Sequence, residues 1–309
     1  MEIITDIYNF KGQPPTVLAL GNFDGVHKGH QCLIGQTINE AKNSGGSSVV
    51  MVFDPHPKKV LSQESPQLLT TIEQKAEILQ EMGLDYLVLL PFTREVAAWT
   101  PEHFVEHIVV RCFRAASVYV GYNYFFGRGA SGDASLLSRL GAGYGFKVNV
   151  IPPVKVDGEI VSSTLVRRCL EEGDVEAVRK YTGRWPVLEG KVQHGEKRGL
   201  GFPTANLDFG HELARPGRGV YAALASTDRG AYDCVVNIGF KPTFHQEYPV
   251  VAEAHLLDFH GDLYGQTIKV MLVKKLREEM RFPNQQQLIH QIQQDIVDAR
   301  SVLQQVRLA

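Results

Sequence analysis

The stretch Gly21-Asn22-Phe23-Asp24-Gly25-Val26-His27-Lys28-Gly29-His30 joins a short apolar run, Val17–Leu20, to a helix-like segment from Gly29 to about Lys42. A strand that ends in a glycine-rich turn and continues as a helix reads as the opening unit of a parallel α/β sheet. The pattern repeats outward. Ser48–Phe53 is a continuous apolar strand, and Thr70-x-x-Glu73 reads as a capping box opening a helix that Gly83 closes. Tyr86–Leu90, Ser117–Val120 and Lys147–Ile151 supply more strands, and Thr100-Pro101 reads as the start of a further helix. Apolar strands separated by helices imply a doubly wound parallel sheet covered on both faces, a Rossmann-like module.

After about Tyr181 the texture changes. Gly and Pro punctuate short strand-like pieces: Leu188–Gln193, Gly219–Ala225, Cys234–Ile238, Ala252–Leu257 and Thr267–Val273. These predict a small antiparallel barrel or sandwich. A last helix starts at Asn284, and its stripe of Leu288, Ile292, Ile296 and Leu303 is expected to pack on the barrel. The expected modules are residues 1–182 and 183–309.

The 309 residues agree with about two domains at roughly 150 residues each. Lys plus Arg is 32 and Asp plus Glu 34, a net charge of −2, which gives no electrostatic footprint for nucleic acid or an anionic membrane. Cys32, Cys112, Cys169 and Cys234 lie far apart, with neither a Cys-x-x-Cys motif nor a disulfide framework. The N-terminal residues lack a basic and apolar export pattern, and no apolar run is long enough to span a bilayer. A reduced, cytoplasmic protein is expected. No residue pattern marks a contact between copies, so a homo-oligomer stays open.

The chemistry concentrates in a few places. Glycines at 21, 25 and 29 let backbone approach a phosphate, and a helix N-terminus offers N–H donors and the positive end of its dipole. His27 and His30, three residues apart, can both face that point and stabilise charge on a reacting phosphorus, or else stand as solvated loop histidines. The strand and flanking glycines favour the first. Ser162-Ser163-Thr164 precedes a helix with Arg167 one turn in. The hydroxyls read as an N-cap or as triphosphate ligands, and the residues alone leave both open. Gly199-Leu200-Gly201-Phe202-Pro203-Thr204-Ala205-Asn206 reads as a turn whose hydroxyl and amide suit Mg²⁺ or simply decorate the chain. Glu253 and His255 share one side of a strand, where a carboxylate can take a proton from a substrate hydroxyl.

Together these segments resemble the bacterial bifunctional riboflavin kinase/FMN adenylyltransferase (FAD synthetase) family over essentially the whole chain. Phe53-Asp54-Pro55-His56-Pro57, Gly121-Tyr122-Asn123, Asn237-Ile238-Gly239 and Glu253-Ala254-His255-Leu256-Leu257-Asp258-Phe259 fall in the family's order. The resemblance implies two reactions: ATP-dependent phosphorylation of riboflavin to FMN, then adenylyl transfer from ATP to FMN, giving FAD and pyrophosphate. Mg²⁺ serves both, with ATP as co-substrate. It implies that His27 and His30 stabilise adenylyl transfer, with Gly21, Phe23, Asp24, Gly25, Gly29, Ser163, Thr164 and Arg167 around that ATP. Asn123 is implied on the flavin side, and Arg277 and Phe282 beside the flavin of the kinase. There, Glu253 is the implied base, Gly201, Pro203, Thr204 and Asn206 hold ATP, and Thr204 and Asn206 hold the metal. The segment Gly195–Gly201 is slightly shorter than is usual in the family, which bears on how Lys197 and Arg198 meet phosphates. A non-catalytic flavin carrier is the rival, and it predicts degraded motifs, whereas both sets are intact.

Two patterns are expected to be incidental. Gly127-Arg128-Gly129-Ala130-Ser131-Gly132 fits a dinucleotide fingerprint but comes late in the sheet and lacks a clean acidic partner. His103-x-x-Glu106-His107 has zincin-like spacing without an evident third ligand.

Overall fold

The computed structural model describes residues 1–61, 67–193, 202–210, 212–240 and 250–308. Its contacts divide the chain into two compact units, Met1–Ser163 and Thr164–Ala309.

In the first unit, Glu2–Ile4 (β1) and Thr16–Leu20 (β2) are followed by Lys28–Ser44 (α1), Ser47–Asp54 (β3), Pro57–Leu61 (α2) and Ile72–Glu81 (α3). Then come Tyr86–Pro91 (β4), Arg94–Ala97 (α4), Pro101–Phe104 (α5) continuing into a π-helical segment Val105–Cys112, and Ala115–Gly121 (β5). A ribbon of Phe125–Phe126 (β6) and Gly132–Asp133 (β7), then Ala134–Tyr144 (α6), Lys147–Ile151 (β8) and a second ribbon, Lys155–Val156 (β9) with Glu159–Ile160 (β10), complete it. The sheet runs β1-β4-β3-β2-β5-β8, with every neighbouring pair parallel.

Alternation along the strands divides the core. Val17 and Ala19 of β2 pack with Val50, Val52 and the α1 residues Leu33, Ile34 and Ile38. Leu18 and Leu20 face the other way, toward Met51, Phe104, Ile108 and Leu137. Helices therefore cover both faces, as continuous apolar strands require. From β2 the chain steps one way to β3 and β4, and from β5 the other way to β8. The order reverses between β2 and β5, which is where ligands bind in open α/β sheets.

The second unit carries Ser163–Glu172 (α7), which starts on the dividing residue, and Val175–Thr182 (α8). Its strands are Val187–Gln193 (β11), Ala205–Asp208 (β12), Gly219–Thr227 (β13), Gly230–Phe240 (β14), Val250–Leu256 (β15) and Thr267–Arg277 (β16). They close an antiparallel barrel in the order β11-β12-β15-β14-β13-β16. Leu207, Tyr221, Val236, Ala254 and Val270 belong to its core. The final helix, Gln285–Leu308 (α9), lays Ile296, Ala299 and Leu303 on Val220, Ala222, Val235 and Val273 of the barrel wall.

Two sequence expectations change, and the compact units divide at a different place from the sequence-based modules. The capping box of α3 is Thr71 with Gln74, one residue later than Thr70/Glu73, because Thr70 is occupied elsewhere. Ala205 and Asn206, expected in a turn, open barrel strand β12. The chain's compact units divide before α7, whereas the sequence-based modules divide after α8. These helices pack with the barrel: Val175 joins its core, and the Gly217 N–H donates to the Leu170 carbonyl at 2.8 Å.

Candidate active sites

The β2–α1 connection is built to expose donors. Phe23 (φ 50°) and Gly25 (φ 75°) both take the left-handed conformation, turning the chain sharply after Gly21. A Cβ on Gly25 would lie 2.8 Å from Leu69 and its φ is positive, so that position needs glycine, while one on Gly29 would lie 3.1 Å from the His27 ring and crowd it. His27 caps α1: its Nδ1 accepts the His30 backbone N–H at 3.3 Å. In the neutral ring that contact places the proton on Nε2, leaving a donor.

The imidazoles of His27 and His30 stack with centroids 3.6 Å apart, and the His30 ring meets Phe23 edge-on. His27 is 5% exposed, and burial pulls its pKa from 6.5 down to about 4, partly opposed by a backbone hydrogen bond. Burial also holds His30 well below 6.5, and the nearby His27 and Lys75 push the same way. Both rings are therefore neutral at neutral pH. His30 Nδ1 is buried without a hydrogen-bond partner in the described structure, an uncommon arrangement in native interiors that fits a catalytic group or one met by water or a ligand.

Most of the predicted first-site residues converge here. The Ser163 hydroxyl donates to the Asp24 carbonyl at 2.9 Å, tying the start of α7 to the turn. The Asp24 carboxylate is buried and accepts the backbone N–H groups of Leu69 and Thr70 at 2.8 and 3.3 Å, and the Gly25 N–H donates to Thr70 Oγ1 at 3.2 Å. Asp24 thus shapes the loop. Asn123 is exposed on the turn after β5, the strand beside β2 at the switch point. Thr164 and Arg167 follow on the first turn of α7, in the second compact unit.

Sequence reading missed Lys75 and the Asn22–His56 pair, whose Nδ2 and Nε2 are 3.2 Å apart. A clue to Lys75 exists: it lies three residues after Ile72 and four before Leu79, on the apolar face of α3.

In the barrel, β12 gives the second site its geometry. Asn206 is directly opposite Glu253 of β15, and Asn237 of β14 faces Glu253 from the other side. Directly opposed side chains have Cβ atoms about 4.5–5.5 Å apart. Ala252, Ala254 and Leu256 enter the barrel core while Glu253 and His255 alternate outward. Asn206 is only 7% exposed, and its Oδ1 has no partner among the described residues. A buried amide oxygen with nothing to accept is the donor type a hard cation takes. His255 Nδ1 donates to the Pro203 carbonyl at 2.8 Å and meets the Phe202 ring edge-on, fixing the turn that carries the exposed Thr204. Gly201 and the Gly195–Gly199 loop with Lys197 and Arg198 lie outside the described residues.

Arg277 makes a bidentate pair with the buried Asp295 of α9 at 2.9 and 2.8 Å, and its guanidinium stands 5.7 Å from the Phe282 ring centroid. Gln291 braces the same carboxylate at 2.9 Å. The guanidinium anchors α9 to the end of β16, with Phe282 alongside.

The residues of these two patterns make packing contacts. Gly127 and Gly132 press on Pro101 around the β6–β7 ribbon. His103 and His107 stack against each other and on the edge of Trp99, and His107 shares a hydrogen bond with the Tyr8 hydroxyl. No described group of three His, Cys, Asp or Glu side chains could hold a metal.

Both halves offer donors or hard oxygens suited to a phosphate chain, one at a parallel-sheet switch point and one on a barrel wall. That combination fits the nucleotide-dependent transferases. A family model described as FAD synthetase matches residues 10–165, and one described as riboflavin kinase matches residues 182–303. A bifunctional riboflavin kinase/FMN adenylyltransferase of Escherichia coli (strain K12) is 35% identical over 309 residues, covering 97% of each chain. That of Bacillus subtilis (strain 168) is 33% identical over 294 residues, covering 93% of this chain and 92% of its own. With both models matched in order and relatives aligned nearly end to end, the chain belongs to the bifunctional riboflavin kinase/FMN adenylyltransferase family. Among solved structures, one from Streptococcus pneumoniae described as a macrolide-efflux protein superimposes with TM-score 0.86 at 28% identity, covering 97% and 98% of the two chains. No described helix of the present chain is long and apolar enough to cross a membrane.

Proposed function

We propose that the barrel phosphorylates riboflavin with ATP and that the α/β module then joins AMP from a second ATP to FMN. The observation carrying the first step is the juxtaposition of Glu253 with the orphaned Asn206 oxygen on neighbouring strands. Glu253 takes the proton of the riboflavin hydroxyl as that oxygen attacks the γ-phosphorus of ATP, and ADP leaves. Asn206 and Thr204 are the residues that would hold Mg²⁺, and a cation bound there neutralises phosphate charge.

For the second step, an FMN phosphate oxygen attacks the α-phosphorus of ATP and pyrophosphate departs. The neutral His27 donates from Nε2, and His30, stacked on it, faces the same phosphoryl group. Gly21, Phe23, Gly25 and Gly29 provide close backbone, while Ser163 locks the turn through the Asp24 carbonyl. Thr164 and Arg167 take the outer phosphates, and Asn123 takes the flavin side. Arg277 and Phe282 border the flavin of the kinase. The substrates and products are riboflavin, ATP, FMN and FAD. The free thiols Cys32, Cys112, Cys169 and Cys234 support a reducing, cytoplasmic setting.

Chromatography of riboflavin incubated with protein, ATP and Mg²⁺ tests the whole reading. FMN appears first and FAD follows, and a chelator in excess over Mg²⁺ stops both. FMN that persists without FAD in the presence of ATP overturns the second step.

The two modules are proposed to work separately, with α7 and α8 needed for the barrel's stability. A fragment of residues 164–309 is expected to fold and make FMN without FAD. A fragment beginning at Gly183 loses the packing of Val175 and the Gly217–Leu170 hydrogen bond. Burying a valine side chain contributes about 1.5 kcal/mol, so the shorter fragment unfolds at lower temperature. Equal unfolding temperatures would remove the helices from the barrel's stability.

A further inference from the structure

Lys75 is used by neither reaction above, yet it is 7% exposed and lies against the loop that carries the histidines. A buried ammonium is costly without specific partners. Its Nζ donates to the Asn22 carbonyl at 2.7 Å. Asp24 and Asp54 face it and oppose the lowering of its pKa by burial. A trans peptide is planar, so the Asn22 carbonyl and the Phe23 N–H point in opposite directions. Fixing the carbonyl on Lys75 therefore aims the Phe23 N–H away from α3. Phe23 is 2% exposed, and its N–H meets no acceptor among the described residues. An unpaired N–H on a buried residue is rare in native structures, which leaves this one free for an acceptor from outside the protein.

The segment leading into α3 grips the same loop at two more points, the Asp24 carboxylate and the Gly25 N–H. His30 is faced by Lys75 from α3 and by His27 on its own helix, and His56 reaches the loop through the Asn22 amide. Lys75 thus touches the loop at its turning peptide and acts on His30 through space.

We propose that Lys75 is a positioning residue for adenylyl transfer: it holds the Asn22 carbonyl so that the Phe23 N–H meets the nucleotide phosphate. This rests on reading the His27/His30 loop as the adenylyltransferase site. Its charge also adds to the burial that holds His30 neutral.

In the full-length chain, Lys75→Met keeps the length and apolar stem but removes donor and charge. The kcat for FAD formation from FMN is expected to fall about 100-fold, the scale of a small misplacement in a site, with KM for FMN nearly unchanged. Riboflavin phosphorylation by the same preparation stays at the wild-type rate. The acidic limb of the FAD-forming rate moves to higher pH, because the charge that resists protonation of His30 is gone. Lys75→Arg, which keeps both features, recovers most of kcat and restores the limb. If the Met variant fails to fold, Lys75→Gln carries the same test of charge.

NMR titration of the His27 and His30 rings reads the coupling without turnover, and the His30 titration should move upward in the Met variant. A wild-type kcat with an unmoved His30 titration overturns the proposal, as does a lower unfolding temperature with full activity per folded molecule. If His27→Ala/His30→Ala still forms FAD, the site reading fails on its own, and the NMR shift still decides whether Lys75 acts on His30.

Discussion

Glu253→Gln is expected to lower FMN formation by at least about 100-fold, the lower end of what a general base contributes. Glutamine preserves size and hydrogen-bonding capacity opposite Asn206 and Asn237, so the β12–β15–β14 register survives the change. What disappears is a carboxylate able to accept the proton of the attacking hydroxyl. FAD formation from supplied FMN persists, since His27 and His30 belong to the other compact unit. Both activities are measured on one folded preparation, with the unfolding temperature as the control for structure. A kinase rate within a few-fold of wild type would leave Glu253 as an orienting group and the base unassigned.

The double variant His27→Ala/His30→Ala is expected to lose FAD formation and keep riboflavin phosphorylation. Removing one preorganised donor to a developing oxyanion costs about 100- to 1,000-fold, so the pair together takes the rate to background. Since burial holds His27 at about 4 and His30 well below 6.5, the wild-type FAD-forming rate carries no histidine limb between pH 6.5 and 8. As pH falls toward 4, His27 protonates and its Nδ1 can no longer accept the His30 N–H. The unfolded chain takes up these protons from about pH 6.5 downward, whereas the folded His27 waits until about pH 4. Its contribution to stability is therefore intact above 6.5 and is lost as pH falls through that window. Equal loss of both activities in a folded double variant would contradict two separate sites.

Local pattern carried much of this structure because it depends on nearest neighbours in the chain. The apolar runs that became β2, β3, β4, β5 and β8 are continuous because both faces of that sheet are covered. The barrel strands were legible for a similar reason, apart from β12. Ala205-Asn206-Leu207-Asp208 is too short, and too close to Gly and Pro, to read as a strand by alternation. Its identity comes from pairing with β11 and β15, both distant in sequence. The capping box moved by one residue for a related reason, since Thr70 is claimed by the Gly25 N–H, a partner no local pattern contains.

By itself, the sequence determined the class of each half, the β2–α1 loop with its two histidines, and the family, because glycine, imidazole and hydroxyl at fixed short spacings have few other uses. The tertiary structure alone decided which of these groups meet. Asn206 faces Glu253 only because two strands far apart in sequence are in register, and Lys75 reaches the Asn22 carbonyl only because α3 packs beneath the loop. It also set the charge state of the histidines. An imidazole has an ordinary pKa near 6.5 wherever it stands in a sequence, and only its burial, with a like charge beside it, makes it a neutral donor.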